Sequence, residues 1–334
     1  MMTSPAAESA DPTDVPHYSL GAPPKVWWDA HFEGAVGQVL DFLAGDRITL
    51  EGKRVADIGC GDGIIDLGLT LRGRPARLVG FDIEPTDVDE LARLAKQRAD
   101  LDRLPDELFF ATSGERSIPA ADHSFDMVVS WSAFEHIADP VAMLKEIRRV
   151  LTHHGVLFIQ LWPFYDAAHG THLVDWFPEG FAQHRYTDEE IFARIRSTGD
   201  QELGSRLIDI YRTLNKITLD GLGAALRETG FRVAKIALDA EQVHLPEEVA
   251  DLPLSHVAVS GVKLLAVPPT VDHPDELAAA GQPEPAGERL HQLDAAPLPE
   301  PDQPSPASPF VARAARAARS ALAQLDTALQ RYDR

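Results

Sequence analysis

Residues 55–67, VADIGCGDGIIDL, constrain the fold most, because an apolar run breaks into a glycine-rich loop and then resumes with helical spacing. Gly59, Gly61 and Gly63 remove every second Cβ, so the loop can turn sharply and its amides can approach a ligand closely. A strand, loop and helix in this order predict an α/β fold whose first crossover binds a nucleotide-like cofactor.

The spacing of the glycines distinguishes two classes of cofactor. A dinucleotide fold needs a third glycine at the sixth position of the motif, where this chain has Ile64 or Asp66, depending on which glycine starts the count. Asp62 and Asp66 also place carboxylates at the start of the helix. A bound pyrophosphate would need this positive end of the helix dipole for its own negative charge. The pattern disfavours a nicotinamide oxidoreductase and favours S-adenosyl-L-methionine, which has no phosphate and carries a sulfonium and an ammonium.

Two carboxylates at strand ends supply the next predicted contacts. Asp57, at the end of the first strand, would face the cationic amino-acid half of the cofactor. The run LVGFDI at 78–83 predicts a second strand ending at Asp82, where an acid can accept hydrogen bonds from both ribose hydroxyls. We therefore predict cofactor contacts from Asp57, Asp82 and the adjacent Ile83, together with the three loop glycines.

With these motifs the chain resembles class I S-adenosylmethionine-dependent methyltransferases over roughly residues 50–160, and more weakly over 219–267. Residues 118–130, IPAADHSFDMVVS, are similar to the fourth-strand region of the family, and residues 146–155, EIRRVLTHHG, to the helix that leads into the fifth strand. The resemblance implies an α/β, Rossmann-like, seven-stranded and mostly parallel sheet with helices on both faces, and methyl transfer from the cofactor.

The resemblance also predicts the remaining cofactor contacts. In this family the third strand usually leads to an acid that receives the adenine amino group. Here Gly114 falls at that place and Glu115 follows it, so both are candidate adenine contacts, through a backbone amide in the case of Gly114. Residues 130–136, SWSAFEH, follow the fourth strand at the edge where open α/β sheets bind ligands, and we predict a cofactor contact from Trp131.

Two histidines are the candidate catalytic residues. Methyl transfer from a sulfonium needs a base only when the acceptor carries a proton. His136, after the fourth strand, is expected to overhang the methyl end of the cofactor, and a neutral imidazole suits taking a hydroxyl proton. A structural role stays open, because Glu-His is frequent at this place in the family. His172 is the second candidate, as a base or a substrate contact.

Two patterns raise the question of a metal. The Glu135–His136 pair is similar to part of the metal-binding motif of ubiquinone-pathway O-methyltransferases, which have an additional acid where this chain has Ser132. His169, His172 and Asp175 form a second cluster, but His-x-x-His needs a helix beneath it to aim both rings at one ion. We therefore predict no metal site.

Residues 162–218, here called the cap segment, are too long for a simple connection and are rich in aromatic side chains. We predict a helical cap insertion, with one helix beginning at the capping box TDEE at 187–190 and a second over 201–214. We expect the cap to select the substrate, the alternative being packing alone. Residues 163–181 and LNKIT at 214–218 resemble a bacterial group of methyltransferases associated with cell-surface glycans, which implies a small-molecule or glycan acceptor, most often a hydroxyl.

Two helices flank these motifs. Residues 24–44 predict a helix with one buried stripe, on which Trp27, Trp28 and Phe32 either cover the cofactor cleft or anchor the helix on the core. We predict a helix over 140–154, before strand five at 156–161. The two histidines at the end of this helix are expected only to terminate it.

Composition narrows the partners and the location. A formal net charge of −21 disfavours nucleic acid, because phosphate neutralisation needs clustered Lys and Arg. Cys60 is the single cysteine, which predicts a reducing compartment. With no signal-like start and no run of about eighteen apolar residues, we expect a cytoplasmic protein without a transmembrane segment.

The chain divides into four predicted regions. Residues 1–23 form a disordered N-terminus, and residues 24–267 form the methyltransferase domain. Residues 268–309 contain eleven prolines and eight acids against one Arg, which predicts an acidic linker. Residues 310–334 form an amphipathic helix that could mediate self-association or bind a protein partner through 310–332. The alternative function is therefore a cofactor-binding scaffold with weak or lost catalysis that recruits a partner through this helix.

Overall fold

A seven-stranded sheet forms the centre of the computed structural model, which describes residues 24–197 and 201–268. Its strands are β1 (Arg54–Ile58), β2 (Arg77–Asp82), β3 (Leu108–Thr112), β4 (Phe125–Trp131), β5 (Leu151–Leu161), β6 (Arg232–Ala240) and β7 (Val259–Val267). The spatial order is β3-β2-β1-β4-β5-β7-β6. Strands β1 to β5 are parallel, and β7 pairs antiparallel with both β5 and β6. The predicted seven-stranded, mostly parallel sheet is confirmed.

Helices cover both faces of this sheet. They are α1 (Pro24–Trp28), α2 (Val36–Ala44), α3 (Ile64–Gly73), α4 (Val88–Ala99), α5 (Pro140–Val150), α6 (Ala182–Arg185), α7 (Asp188–Arg196), α8 (Gln201–Thr213), α9 (Leu219–Glu228) and α10 (Leu254–Val257). A π-helical stretch, Asp29–Ala35, joins α1 to α2. Successive strand residues alternate between the two cores, as Val55 and Ala56 do on β1, because side chains of a strand point to opposite faces. The central strands are therefore apolar on both faces.

Helix starts follow the polar residues that precede them. The side chain of Asp139 accepts a 2.9 Å hydrogen bond from the amide of Ala142, which caps α5. At α7, Thr187 and Glu190 form the reciprocal capping box that the sequence predicts. Because these caps satisfy amides that lack a partner within the helix, both starts could be placed from sequence.

The boundary between α5 and β5 differs from the prediction. The helix ends at Val150, and β5 already begins at Leu151, which is extended and buried opposite Phe125. The register with β4 then shifts, so that Val156 pairs with Met127. The irregular stretch 152–155 makes room for this shift, and the two histidines within it are exposed strand residues and do not end a helix.

The cap segment has a small core of its own. It contains α6, α7 and α8, and its buried apolar residues are Leu173, Phe177, Ala182, Ile191, Phe192, Ile195, Leu207, Ile208, Tyr211 and Leu214. Both predicted helices of this segment are present as α7 and α8. The segment follows β5 and precedes α9, so it leaves the sheet at the carboxyl end of β5.

Three predicted regions fall outside the part of the chain that the structure describes. These are the N-terminal segment 1–23, the linker beyond residue 268 and the helix at 310–334. Within residues 24–197 and 201–268, no helix combines the length and the apolar character needed to cross a membrane.

Candidate functional site

The three loop glycines have different structural roles. Their φ angles are +81° at Gly59, +53° at Gly61 and +76° at Gly63, all in the left-handed region that favours glycine. A Cβ on Gly59 would lie 2.3 Å from the Cβ of Ala133, and one on Gly63 would lie 2.6 Å from the Cζ of Phe110. A Cβ on Gly61 would meet no atom within 4 Å. Two of the glycines permit close packing, and Gly61 faces open space beside the loop.

Hydrogen bonds join the loop to the tip of β2. The amide of Gly59 donates to the carbonyl oxygen of Phe81 at 2.8 Å. The amide of Gly61 donates to Oδ2 of Asp82 at 2.9 Å, and the amide of Glu84 donates to Oδ1 at 3.1 Å. Each carboxylate oxygen of Asp82 therefore keeps a free lone pair, and the half-buried side chain is held in one orientation.

Asp57 is a buried acid with one unsatisfied oxygen. It is the penultimate residue of β1 and 3% exposed, and its Oδ1 has no hydrogen-bond partner among the described residues. Burial, and then the negative charge of Asp82, raise the pKa of Asp57 to about 7. A cationic group bound beside Asp57 would favour its ionised form and satisfy the free oxygen.

Asp66 has a different state from the one that the sequence argument assumed. It is fully buried in the first turn of α3, and neither carboxyl oxygen has a partner among the described residues. Burial, and then the neighbouring Asp57, raise the pKa of Asp66 well above its usual range, so we expect a neutral carboxyl. The acidic character at the helix start comes from Asp62 alone.

Trp27 and Asp62 connect the N-terminal helix to the loop. The indole Nε1 of Trp27 donates a 2.8 Å hydrogen bond to Oδ2 of Asp62, whose Oδ1 accepts the amide of Ile64 at 3.1 Å. Trp28 and Phe32 are buried and stack at 4.7 Å between ring centroids. Of the two roles that the sequence left open, Trp28 and Phe32 anchor the helix on the core, and Trp27 contacts the loop.

Backbone hydrogen bonds already pair the amides of the segment that is predicted to contact adenine. The amide of Gly114 donates to the carbonyl oxygen of Ser117 at 3.0 Å, and the amide of Ser113 donates to the carbonyl oxygen of Asp82 at 2.7 Å. Glu115 is exposed, and Ile83 is half-buried next to Asp82. Because the Gly114 amide already has a partner, an adenine contact through it would require an exchange of that bond. The contacts of Ile83, Gly114 and Glu115 stay predictions.

The loop after β4 is fixed to the neighbouring strand β5. The amide and hydroxyl of Ser132 each donate to Oε1 of Gln160 at 2.9 Å, and Ser132 has a φ of +45°. The hydroxyl of Ser130 donates to the carbonyl oxygen of Ile58 at 2.8 Å. Trp131 is half-buried between these serines at the end of β4. These bonds determine where the following short 3-10 turn, Phe134–His136, is placed.

His136 and His172 face one another beyond this turn. Their ring centroids are 5.2 Å apart. Nδ1 of His136 lies 2.7 Å from Oγ1 of Thr213, and that hydroxyl donates to the carbonyl oxygen of Ile210 at 2.8 Å. Since the hydroxyl proton is used there, Nδ1 of His136 must be the donor to Oγ1, which leaves a lone pair on Nε2. Nε2 of His172 has no partner among the described residues.

Burial sets the protonation of this cluster. It lowers the pKa of His136 to about 4. Burial, and then the positive charge that His136 would carry, lower the pKa of His172 to about 3. Both imidazoles are therefore neutral near pH 7. Glu135 is 3% exposed and neither carboxyl oxygen has a partner among the described residues, and burial raises its pKa to about 8.

The residues of the second cluster in the sequence, His169, His172 and Asp175, do not come together. His172 lies against His136, while Nε2 of His169 lies 3.9 Å from Oε2 of Glu241. Asp175 is exposed. The segment has no helix under these residues, so the His-x-x-His spacing does not aim both rings at one point.

Thr213 and Asn215, which sequence reasoning missed, connect the cap segment to the turn. The side-chain amide of Asn215 donates to the carbonyl oxygens of Phe134 at 2.6 Å and Ile137 at 2.8 Å. The motif LNKIT contained Asn215, but nothing in it indicated which backbone the amide would reach. Through these bonds the end of α8 and the Glu135–His136 turn are held together.

Sequence comparison relates the central part of the chain to a known family. Residues 56–159 match a family model described as a methyltransferase domain. The chain is 32% identical over 136 residues to the ubiquinone biosynthesis O-methyltransferase of Neisseria meningitidis serogroup C, covering 40% of this chain and 55% of that protein. Residues 56–159 therefore form a methyltransferase domain of the class I S-adenosylmethionine-dependent type. The chain spans about half the length of the curated relatives it matches first.

Two more distant proteins are similar to longer stretches of this chain. The ubiquinone biosynthesis O-methyltransferase of Cereibacter sphaeroides is 25% identical over 220 residues, covering 58% of this chain and 84% of that protein. The crystal structure of an S-adenosylmethionine-dependent methyltransferase from Mesorhizobium loti is 16% identical, with a TM-score of 0.42, covering 70% of this chain and 99% of that one.

The residues at the carboxyl edge of the sheet fit S-adenosylmethionine, the cofactor of this family. The unsatisfied oxygen of Asp57 suits the ammonium group of the cofactor, and the free lone pairs of Asp82 suit ribose hydroxyls. Gly61, which has open space beside it, lies between Asp57 and Asp82 in the sequence. The site needs no phosphate contact, which agrees with the missing third glycine.

Proposed function

We propose that this methyltransferase transfers the methyl group to a hydroxyl of a small-molecule or glycan acceptor. The observation that carries the proposal is the facing pair of imidazoles, His136 and His172, beside the loop at the carboxyl end of β4, with Nε2 of His136 left as an acceptor. A hydroxyl needs groups that accept its proton before its oxygen becomes nucleophilic, whereas an acceptor without a proton does not.

Residues of this chain would hold both reactants. Asp57 and Asp82 orient the amino-acid and ribose parts of S-adenosylmethionine, which when bound supplies an electrophilic methyl group on a sulfonium. Trp131 and the turn that follows it place His136 at the same edge of the sheet. Most of the acceleration would come from holding the acceptor oxygen in line with the methyl carbon.

The cap segment would select the acceptor. The indole of Trp162 and the ring of His172 meet edge to face, with centroids 6.2 Å apart, so aromatic faces and an imidazole adjoin one another. Aromatic faces suit the apolar faces of sugars and of aromatic alcohols. The two curated relatives named above are ubiquinone biosynthesis O-methyltransferases, which supports oxygen as the acceptor atom. We propose residues 24–267 as one methyltransferase domain, with 162–218 as its substrate-selecting cap.

A methyl-transfer screen tests this proposal. The purified chain is incubated with methyl-labelled S-adenosylmethionine and panels of sugars, phenols, polyketide-like alcohols, amines and thiols, and the labelled atom is located by mass spectrometry and NMR. We expect methyl ethers as products and a loss of about 10²-fold or more in kcat for His136→Gln and His172→Gln. His154→Gln, at an exposed position on β5, is the matched control and should keep full activity. Labelled nitrogen or sulfur, or cofactor binding without any transfer, would contradict the proposal.

A further inference from the structure

Three side chains of the metal-ligating type converge at the carboxyl edge of the sheet. Glu135 and His136 belong to the turn after β4, and His172 belongs to the cap segment. One ligand atom from each lies within 4.8 Å of the other two. Within residues 24–197 and 201–268 this is the one group of three such side chains with that spacing. Two imidazoles and a carboxylate are a common donor set for Zn²⁺ and for other divalent transition metals.

Two of the three groups have unmet polar atoms. Both carboxyl oxygens of Glu135 and Nε2 of His172 lack a hydrogen-bond partner among the described residues, although the side chains are neighbours. A carboxyl group that is 3% exposed and unpartnered costs free energy unless something pairs with it. A single cation between the three side chains would satisfy these atoms together.

His136 is oriented as a ligand would be. Its Nδ1 donates to Oγ1 of Thr213 at 2.7 Å, which fixes the tautomer and leaves Nε2 with its lone pair for another partner. A hydrogen bond from the second ring nitrogen to a neighbouring acceptor is the usual way in which proteins orient metal-binding histidines. Thr213 therefore acts as a positioning residue for His136.

His172 has an unusual backbone conformation at this place. Its φ is +61°, which is uncommon for a residue other than glycine and costs free energy. The donor atoms of one tetrahedral ion lie about 3.4 Å apart, for bonds of about 2.1 Å. On binding an ion, the longest of these separations would therefore shorten by about 1.4 Å from its present limit of 4.8 Å.

We propose that Glu135, His136 and His172 bind a divalent transition-metal ion and leave part of its coordination sphere open to the acceptor hydroxyl. This inference rests on the proposed transfer to a hydroxyl and deepens it. The two imidazoles would promote loss of the hydroxyl proton by holding the ion, and would not take the proton themselves. It also revises the sequence prediction of no metal. The motif offered only two ligands because Ser132 stands where a third acid was expected, and the structure supplies the third ligand from the cap segment.

The ion would act as a Lewis acid without a change of oxidation state. A hydroxyl bound to it loses its proton to water more readily, because the positive charge stabilises the resulting alkoxide or phenolate. The oxygen then forms a bond to the methyl carbon while the carbon–sulfur bond breaks, and the sulfonium becomes a neutral thioether. The step needs no oxidant or reductant.

Cobalt titration tests the site directly. The metal-free full-length chain is titrated with Co²⁺ and followed by visible absorption, and Zn²⁺ content is measured after dialysis. We expect one equivalent of tightly bound metal with a tetrahedral or five-coordinate Co²⁺ spectrum. Glu135→Gln and His172→Gln should weaken metal binding at least 100-fold, and Thr213→Val should weaken it about tenfold. His154→Gln is the control and should bind as the unmodified chain does.

Calorimetry with S-adenosylmethionine separates this inference from the proposed function. The same variants should keep their cofactor affinity, which shows that the domain is folded. Absence of a bound-metal spectrum, or equal metal binding by all variants, would overturn the metal site even where hydroxyls are methylated. Metal binding without methylation of any hydroxyl would leave the site in place and overturn the proposed function.

Discussion

The backbone amide of Asn215 donates a 2.8 Å hydrogen bond to the carbonyl oxygen of Glu135, which joins the end of the cap segment to the candidate catalytic turn. The side-chain amide of Asn215 adds two further bonds to the carbonyl oxygens of residues on either side. Asn215 thus couples the position of the turn to the position of the cap, beside the hydrogen bond between His136 and Thr213.

Asn215→Ala should therefore separate positioning from cofactor binding. It leaves two carbonyl oxygens without their donor, which should lower the free energy of unfolding by about 1–3 kcal/mol. We expect kcat to fall while the affinity for S-adenosylmethionine is unchanged, because Asn215 contacts the turn and not the glycine loop. Urea unfolding, calorimetry and initial rates measure the three quantities. Lys216→Ala, at an exposed neighbouring position, is the control. Weakened cofactor binding in Asn215→Ala would contradict this assignment.

Cofactor binding should depend on pH through Asp57. The pKa of this acid is raised to about 7 in the cofactor-free chain, and a cationic ligand favours the ionised form. Affinity for S-adenosylmethionine should be constant well above pH 7 and should fall by up to tenfold for each pH unit below it. Calorimetry between pH 5.5 and 8.5 measures this. Asp57→Asn should bind weakly at every pH with a flat profile, and a flat profile in the unmodified chain would refute the assignment.

Two glycine substitutions should differ in the property that they change most, fold stability or cofactor affinity. In Gly63→Ala the new methyl group would approach Phe110 within 2.6 Å, so the main effect should be a loss of stability of about 1–3 kcal/mol. In Gly61→Ala the methyl group enters open space, so the stability loss should be about 1 kcal/mol, from the positive φ, and the cofactor affinity should fall. Thermal unfolding and calorimetry on both variants check this pairing. Unchanged cofactor affinity in Gly61→Ala would show that the open space is not the cofactor site.

Asp166 should contribute to stability in a pH-dependent way. Its Oδ1 lies 3.2 Å from Nε2 of His184 and its Oδ2 lies 2.9 Å from Nδ1 of His256, and the contact with His184 is the main cause of its lowered pKa. A lowered carboxyl pKa stabilises the fold above the unfolded pKa of about 4, and the contribution is lost as pH falls through the folded value. Asp166→Asn should cost about 1–2 kcal/mol at pH 7 and progressively less toward pH 3. Urea unfolding across this range measures the difference, and a constant difference would contradict the prediction.

The sequence predicted most of the sheet because buried strands and capped helices carry local signals. β1 lies where the sequence predicts the first strand, since an apolar run ends at a glycine there, and α7 begins at its capping box. The start of β5 was missed because Leu151 continues the apolar pattern of α5, and only pairing with β4 makes it extended.

The candidate site was predicted less completely. Asp57 and Asp82 follow from strand ends, but the neutral state of Asp66 depends on burial that no local pattern reveals. The contact between His136 and His172 depends on the path of the cap segment, so the pair could be named from sequence only as two separate candidates. The donation from His136 to Thr213 is likewise a product of tertiary structure.

The central claim is that a phosphate-free cationic cofactor binds at the loop, with its ribose held by Asp82. Calorimetric titration with S-adenosylmethionine and its demethylated product, on the unmodified chain, Asp82→Ala and the surface control Asp89→Ala, tests it most directly. We predict one site on the unmodified chain, a loss of about 1–3 kcal/mol for Asp82→Ala and no change for the control. Binding of neither compound, or full affinity in Asp82→Ala, would contradict the claim.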